Sequence, residues 1–268
     1  MKRTIVAVIC VLLSVSVAGP TSAEDGAKTK PMKVFVFGGQ SNMAGAGNPA
    51  DLPETMRTPS NNVLCPDDPL QPTGWVPYEP GQKMGPEIAF CHEMSKALGE
   101  PVGFVKFAIG GTNLGEQWNP DGGPLYATFR DRVQAARKLG NVEVVAFLWM
   151  QGEKDSRTDW MAEKYAENLK KLVTRARADF QSPEMIFVCG RVNPHFTADT
   201  AAGQAPEAYP FVFQVRKAQE GLDLPRTAWV DCDDLTRHGD NLHYNSPGQI
   251  ELGKRLAGEV LEILNKPK

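Results

Sequence analysis

The stretch Val34-Phe35-Val36-Phe37-Gly38-Gly39-Gln40-Ser41-Asn42-Met43-Ala44-Gly45 decides how this chain is read. Its first four residues are apolar without interruption, as in a strand buried on both faces of a parallel sheet. Small residues then crowd around Ser41, so the run predicts a strand ending in a turn that leaves one hydroxyl uncovered. The plain reading of such a residue is a turn serine or a helix N-cap. The glycines also suit a phosphate-cradling loop. Neither G-x-G-x-x-G nor G-x-x-x-x-G-K-[ST] is present here, so nucleotide binding lacks its usual partners.

Strand and helix patterns alternate outward from that run. Pro86 to Leu98 reads as a helix closed by Gly99, and Val102 to Ile109 as a second strand ending in Gly110-Gly111. A helix is expected over 125–139 and a third strand over Val142 to Met150. Asp159, as N-cap, opens a charged amphipathic helix to about Phe180. Met185 to Cys189 and Thr227 to Val230 are the fourth and fifth strands, separated by a helix near 209–221. Ser246 as N-cap and Pro247 at the first helical position start the last helix. This alternation predicts an α/β domain with a five-stranded parallel sheet covered by helices on both sides. Residues 48–86 hold nine of the 21 prolines. Proline fixes φ and removes a donor, so that stretch is expected to contain neither regular helix nor central strand. Trp75, Val76 and Tyr78 can anchor it as an ordered excursion.

The first residues read as an export signal over 1–23: Lys2 and Arg3, an apolar run from Ile5 to Val17, then Thr21-Ser22-Ala23 for cleavage. The apolar run is shorter than the roughly 20 residues that span a bilayer. A disordered leader over 24–32 and a single domain over 33–268 are expected to follow. Losing Lys2 and Arg3 reduces the 29 basic residues to 27 against 32 acidic ones, and no basic cluster argues for nucleic acid or an anionic membrane surface. Cys65, Cys91, Cys189 and Cys232 remain after export. Cys65 with Cys91 and Cys189 with Cys232 is the preferred disulfide pairing, with free thiols as the alternative. No Cys-x-x-Cys spacing suggests zinc.

Ligands on parallel α/β sheets bind beyond the carboxyl ends of the strands. Ser41, Gly110, Gly111, Gln151, Asp240 and His243 all follow strand ends and are expected on one rim. A serine nucleophile needs a base within hydrogen-bond reach. Of the four histidines, His92 falls mid-helix, His195 follows a strand without a nearby carboxylate in sequence, and His238 reads as a turn residue. His243 has Asp240 three positions earlier, where a carboxylate can turn back on the ring and fix its tautomer.

Four blocks occur in the order of a known family: Gly39 to Gly45, Gly110-Gly111, Trp149-Met150-Gln151-Gly152-Glu153-Lys154-Asp155, and Asp240-Asn241-Leu242-His243. From Lys33 to the C-terminus the chain resembles the SGNH hydrolases, in particular their carbohydrate acetylesterase branch (sialate O-acetylesterase-like and acetylxylan-esterase-like). The resemblance implies a flavodoxin-like three-layer α/β/α sandwich and ester hydrolysis without metal or cofactor. Ser41 would be the nucleophile, His243 the base and Asp240 its orienting acid. Ser41, Gly110 or Gly111, and Gln151 would form the oxyanion hole; the family name carries an asparagine in the third block where this chain has Gln151. Glu153 is a supporting or alternative acid, and Asp155 and Arg157 are expected to stabilise the loop. Trp118 and Asn119 are expected at the rim as substrate-binding residues, beside Trp75 and Tyr78, with Trp75 favoured as a loop anchor. Trp149 and Trp229 are expected in the core. The function so implied is a secreted or periplasmic serine esterase acting on acetylated oligo- or polysaccharides. A non-catalytic carbohydrate-binding protein, or an esterase for other short-chain esters, is the alternative.

Overall fold

The apolar run at 34–37 lies in β1 (Met32–Gly39), which is buried from Val34 onward. The computed structural model describes residues 30–194 and 204–266. The strands that follow are β2 (Val63–Pro66), β3 (Trp75–Pro77), β4 (Val102–Ala108), β5 (Val142–Met150), β6 (Ile186–Gly190) and β7 (Thr227–Val230). They form one sheet in the order β3-β2-β4-β1-β5-β6-β7, parallel except for the β2/β3 pair. Between the strands run α1 (Ser41–Ala44), α2 (Glu54–Arg57), α3 (Glu87–Leu98), α4 (Pro124–Arg137), α5 (Asp159–Asp179) and α6 (Val212–Glu220), and α7 (Ser246–Asn265) closes the chain.

Alternation along the strands divides the core into two layers. Val34 and Val36 face Phe129 and Val133 of α4, Tyr165 and Leu169 of α5, and Val212 of α6. Phe35 and Phe37 face Phe90 and Met94 of α3 and Leu252, Leu256 and Val260 of α7. The register of β1 on β5 jumps from Val34↔Val144 to Phe35↔Ala146, so Val145 is an extra residue. Such a bulge puts Val145 and Ala146 on the same layer. The α/β/α sandwich is therefore present around a seven-stranded sheet rather than the expected five.

Both additional strands come from the proline-rich stretch. They form a short hairpin at the sheet edge, where Pro66 and Pro77 cost no central ladder bond. Tyr78 stacks edge-on against Phe104 at 4.9 Å, and Trp75 packs against the core, so both pin the hairpin instead of standing on the rim. Trp149 is fully buried as expected, whereas Trp229 is half-buried under the Arg191 guanidinium.

Several other expectations change. Met32 already belongs to β1, the 1–23 signal and residues 24–29 lie outside the described residues, and so does His195. Thr158, not Asp159, is the N-cap of α5. Asn245 caps α7 by accepting from the Gly248 N–H, while Ser246 donates to Asp51 and accepts from the Asn48 N–H. That hydroxyl ties the excursion to the segment entering α7. All four described cysteines are free. Cys189 and Cys232 pack in opposite layers of the sandwich, which explains why they do not pair.

Candidate active site

At the carboxyl end of β1 the chain must leave the sheet within one residue. Gly39 does so with φ +139°, and a Cβ there would fall 2.1 Å from the Met150 oxygen of β5. No side chain fits at that position. The Gln40 N–H is then held by the Met150 carbonyl at 2.9 Å, and Ser41 opens α1. After β4 the chain passes directly beside it: a Cβ on Gly110 would stand 3.4 Å from Ser41 Cβ. Gly111 adopts φ +71°, turning the chain away from the site. Among the described residues, the backbone N–H groups of Ser41, Gly110 and Gly111 have no protein acceptor, as donors reserved for a developing oxyanion require.

His243 arrives from the loop before α7. Asp240 Oδ1 accepts the backbone N–H groups of Leu242 and His243 at 2.9 and 3.0 Å. Its Oδ2 lies 2.7 Å from His243 Nδ1. Partial burial pushes the Asp240 carboxyl up, but the imidazole and these two N–H groups outweigh it and hold it well below the ordinary carboxylate range. With Nδ1 engaged by Asp240, Nε2 is the ring nitrogen left to take a proton.

Ser41 and His243 line one cleft of about 290 Å³, with Gln40 and Gly110-Gly111 beside them. Leu242, Glu153, Lys154, Arg157 and Tyr209 complete its wall. The cleft therefore gathers residues from four strand ends and from the approach to α6. Glu153 lies beneath it, 3 % exposed. Burial pushes the Glu153 carboxyl up, against its own N–H, the Asn42 amide, the His243 charge and the Gln40 amide.

The structure moves three expected residues out of the site. Gln151 is fully buried; its Nε2 donates to the Thr112 carbonyl and Asp155, and its Oε1 accepts from the Tyr165 hydroxyl. An amide so engaged has no donor left for an oxyanion. Trp118 is 0 % exposed, packed edge-on against Trp149 and Phe129, with its indole N–H on Thr112 Oγ1. No ring face is open to a sugar. The Asn119 side chain is spent on its own loop, donating to the Gly115 carbonyl and accepting from the Asp121 N–H. Asp155 keeps its expected loop role by accepting the Leu114 N–H. Arg157 does not; it lines the cleft, with its guanidinium 5.9 Å from the Tyr209 ring. Gln40 and Asn42 flank Ser41 in the opening stretch and were legible there as neighbours of a nucleophile. Tyr209 carried no sequence signal.

Burial pushes the Asp155 carboxyl up to about 7, against the Gln151 amide and the Leu114 and Gly115 N–H groups. An acid raised on folding adds stability that is fully present below its unfolded value near 4 and is lost as pH rises through about 7. Unfolding free energy is expected to fall across that window by on the order of 1–4 kcal/mol, and Asp155→Asn to flatten the slope. Urea titrations at pH 4.5, 6 and 7.5 measure this. An equally steep slope in the variant would assign the loss elsewhere.

The parallel α/β/α frame is that of the SGNH-type hydrolases, and the family match makes the chain a carboxylic ester hydrolase. The chain belongs to the carbohydrate esterase, sialic acid-specific acetylesterase family, whose model matches residues 31–262. It is 29 % identical over 256 residues to the probable carbohydrate esterase At4g34215 of Arabidopsis thaliana, covering 86 % of this chain and 91 % of the relative. The crystal structure of the Arabidopsis thaliana protein AT4G34215 superposes with a TM-score of 0.73 at 27 % identity, over 87 % of this chain and 99 % of that one. NanS shares the fold at 14 % identity, with a TM-score of 0.68 over 88 % of this chain and 98 % of its own. Among the described residues no helix is long and apolar enough to cross a membrane.

Proposed function

We propose that the chain is an exported O-acetylesterase that removes acetyl groups from carbohydrate through a covalent acetyl-Ser41 intermediate. The carrying observation is the 2.7 Å contact of Asp240 with His243, which lines the same cleft as Ser41 and Gly110. Ser41 Oγ attacks the acetyl carbonyl while His243 Nε2 takes its proton, and Asp240 stabilises the imidazolium. The tetrahedral oxyanion is held by the N–H groups of Ser41 and of Gly110 or Gly111. Collapse breaks the C–O bond to the sugar, whose oxygen receives the proton from His243. Water, deprotonated by the same nitrogen, then releases acetate and restores Ser41. Export rests on Lys2, Arg3, the apolar run to Val17 and the small residues Thr21 to Ala23.

The test is acetate release from acetylated sugars together with covalent labelling by a serine-directed organophosphorus reagent. Mass spectrometry should place the label on the peptide containing Ser41. Labelling elsewhere, or glycan binding without acetate release, would reject the reading in favour of another nucleophile or a binding protein.

The family description names sialic acid, an acidic sugar, and an anionic substrate suits this wall. Lys154 and Arg157 both line the cleft, and neither is ion-paired among the described residues. Lys154→Gln with Arg157→Gln is expected to raise KM for an acetylated acidic sugar about tenfold more than for a neutral one, close to the 1.4 kcal/mol that a tenfold change represents. Steady-state kinetics on acetylated sialic acid and acetylated xylose give the comparison; equal changes would remove the anionic preference.

A further inference from the structure

Asn42 is fully buried and directly follows Ser41 in α1. Its side chain makes three hydrogen bonds, all to segments far away in the chain. Nδ2 donates to the Leu242 carbonyl at 3.1 Å and to Glu153 Oε1 at 2.9 Å, and Oδ1 accepts the Tyr244 N–H at 3.0 Å. Leu242 and Tyr244 are the two neighbours of His243. One amide next to the serine therefore grips the main chain on both sides of the histidine.

The rest of that loop is held by the fully buried Tyr244 ring and by Arg237, which donates to Asn193 Oδ1 and the Asn241 carbonyl, but neither supplies a hydrogen bond to α1. Its contacts with the 46–51 segment, His238 Nε2 on the Ala46 carbonyl and Ser246 on Asp51, bear on the turn beyond α1 and not on the Ser41 side. Asp240 fixes the ring within its own loop, at Nδ1 and at the His243 N–H. It orients the imidazole but does not determine how far the loop stands from Ser41. An asparagine amide can also turn over, exchanging oxygen for NH2. Glu153 Oε1 and the Leu242 carbonyl both accept from the NH2 end, so together they select the orientation that presents Oδ1 to the Tyr244 N–H.

We propose that Asn42, fixed in orientation by Glu153 together with the Leu242 carbonyl, is the positioning residue that sets the distance between Ser41 and His243. This rests on the esterase reading above. It gives the buried Glu153 carboxyl a task separate from that of the triad acid. Proton transfer from serine to imidazole depends on hydrogen-bond reach, so a displacement of about 1 Å can cost on the order of 10²-fold in rate.

The experiment is a double-mutant cycle of Asn42→Ala with His243→Ala, read as kcat and KM on p-nitrophenyl acetate. Alone, Asn42→Ala is expected to lower kcat about a hundredfold with KM within about threefold. In the His243→Ala background it should cost less than about threefold further, because no base remains to be misplaced. A similar loss in both backgrounds would mean that Asn42 supports Ser41 or the fold at large, and would overturn the inference. So would full kcat in the single variant, or a loss confined to KM. If Asn42→Ala yields no folded protein, Asn42→Asp is carried through the same cycle and judged by the same criteria. Asp keeps the acceptor for Tyr244 and loses both donated bonds. Unimpaired activity of His243→Ala itself would defeat the parent reading, and is seen before any Asn42 variant is made.

Discussion

Ser41→Ala is expected to lower kcat for acetyl ester hydrolysis by on the order of 10⁴- to 10⁶-fold and to abolish organophosphorus labelling. The size follows from what the substitution removes and what it leaves. Without Oγ there is no acetyl-enzyme, and hydrolysis must proceed by direct attack of water. The backbone N–H of residue 41 and those of Gly110 and Gly111 stay in place, so the tetrahedral oxyanion still meets its donors. Such residual assistance leaves serine hydrolases well above the uncatalysed rate when a triad member is lost. The turn itself depends on Gly39, on the Gln40 N–H held by the Met150 carbonyl and on the Asn42 contacts, none of which involves the hydroxyl. Stability should therefore change by less than about 1 kcal/mol. Thermal unfolding measured beside acetate release separates the two effects. Undiminished turnover in a folded variant would sink the nucleophile assignment.

Asp240→Asn is expected to lower kcat by about 10²- to 10⁴-fold, while Glu153→Gln lowers it by less than about tenfold. Asparagine at 240 can still accept the Leu242 and His243 N–H groups through its oxygen, so the loop keeps its shape. Its NH2 then faces Nδ1, which favours the tautomer with the proton on Nε2, and that nitrogen can no longer accept from Ser41. The lower bound reflects the partial exposure of the Asp240 side chain, 48 %, since water can take over some of its charge stabilisation. Glutamine at 153 keeps an oxygen for Asn42 and removes a charge that burial already disfavours. The opposite ranking would make Glu153 the acid that serves His243.

The sandwich, the central strand and the contact of Asp240 with His243 were legible because each leaves a short-range trace. An unbroken apolar run marks a strand buried on both faces. Small residues must surround an exposed hydroxyl, and a carboxylate three positions before a histidine can bend back to it without help from the rest of the chain. Gly110 was readable by the strand-end rule, which follows from the handedness of β-α-β crossovers. The edge hairpin was not legible, because prolines that exclude a central strand do not exclude an edge one.

Gln151 and Glu153 show where such reasoning stops. They differ by two positions after β5, and Gly152 between them takes φ +146°. That turn sends the glutamine to Tyr165 and Asp155 and the glutamate to Asn42 beneath the cleft. Trp118 likewise looked suited to stack on a sugar, yet its ring fills space between Phe107, Phe129 and Trp149 that nothing in its own loop reveals. Periodicity and side-chain chemistry are properties of neighbours along the chain, and they were enough to predict the architecture and to single out Ser41 and His243, which the fold brings to one cleft. Which amide and which carboxyl turn toward that pair depends on a few ångströms of packing among segments as much as 202 residues apart, as in the Asn42 bond to Tyr244. Only the folded chain brings those segments together and decides it.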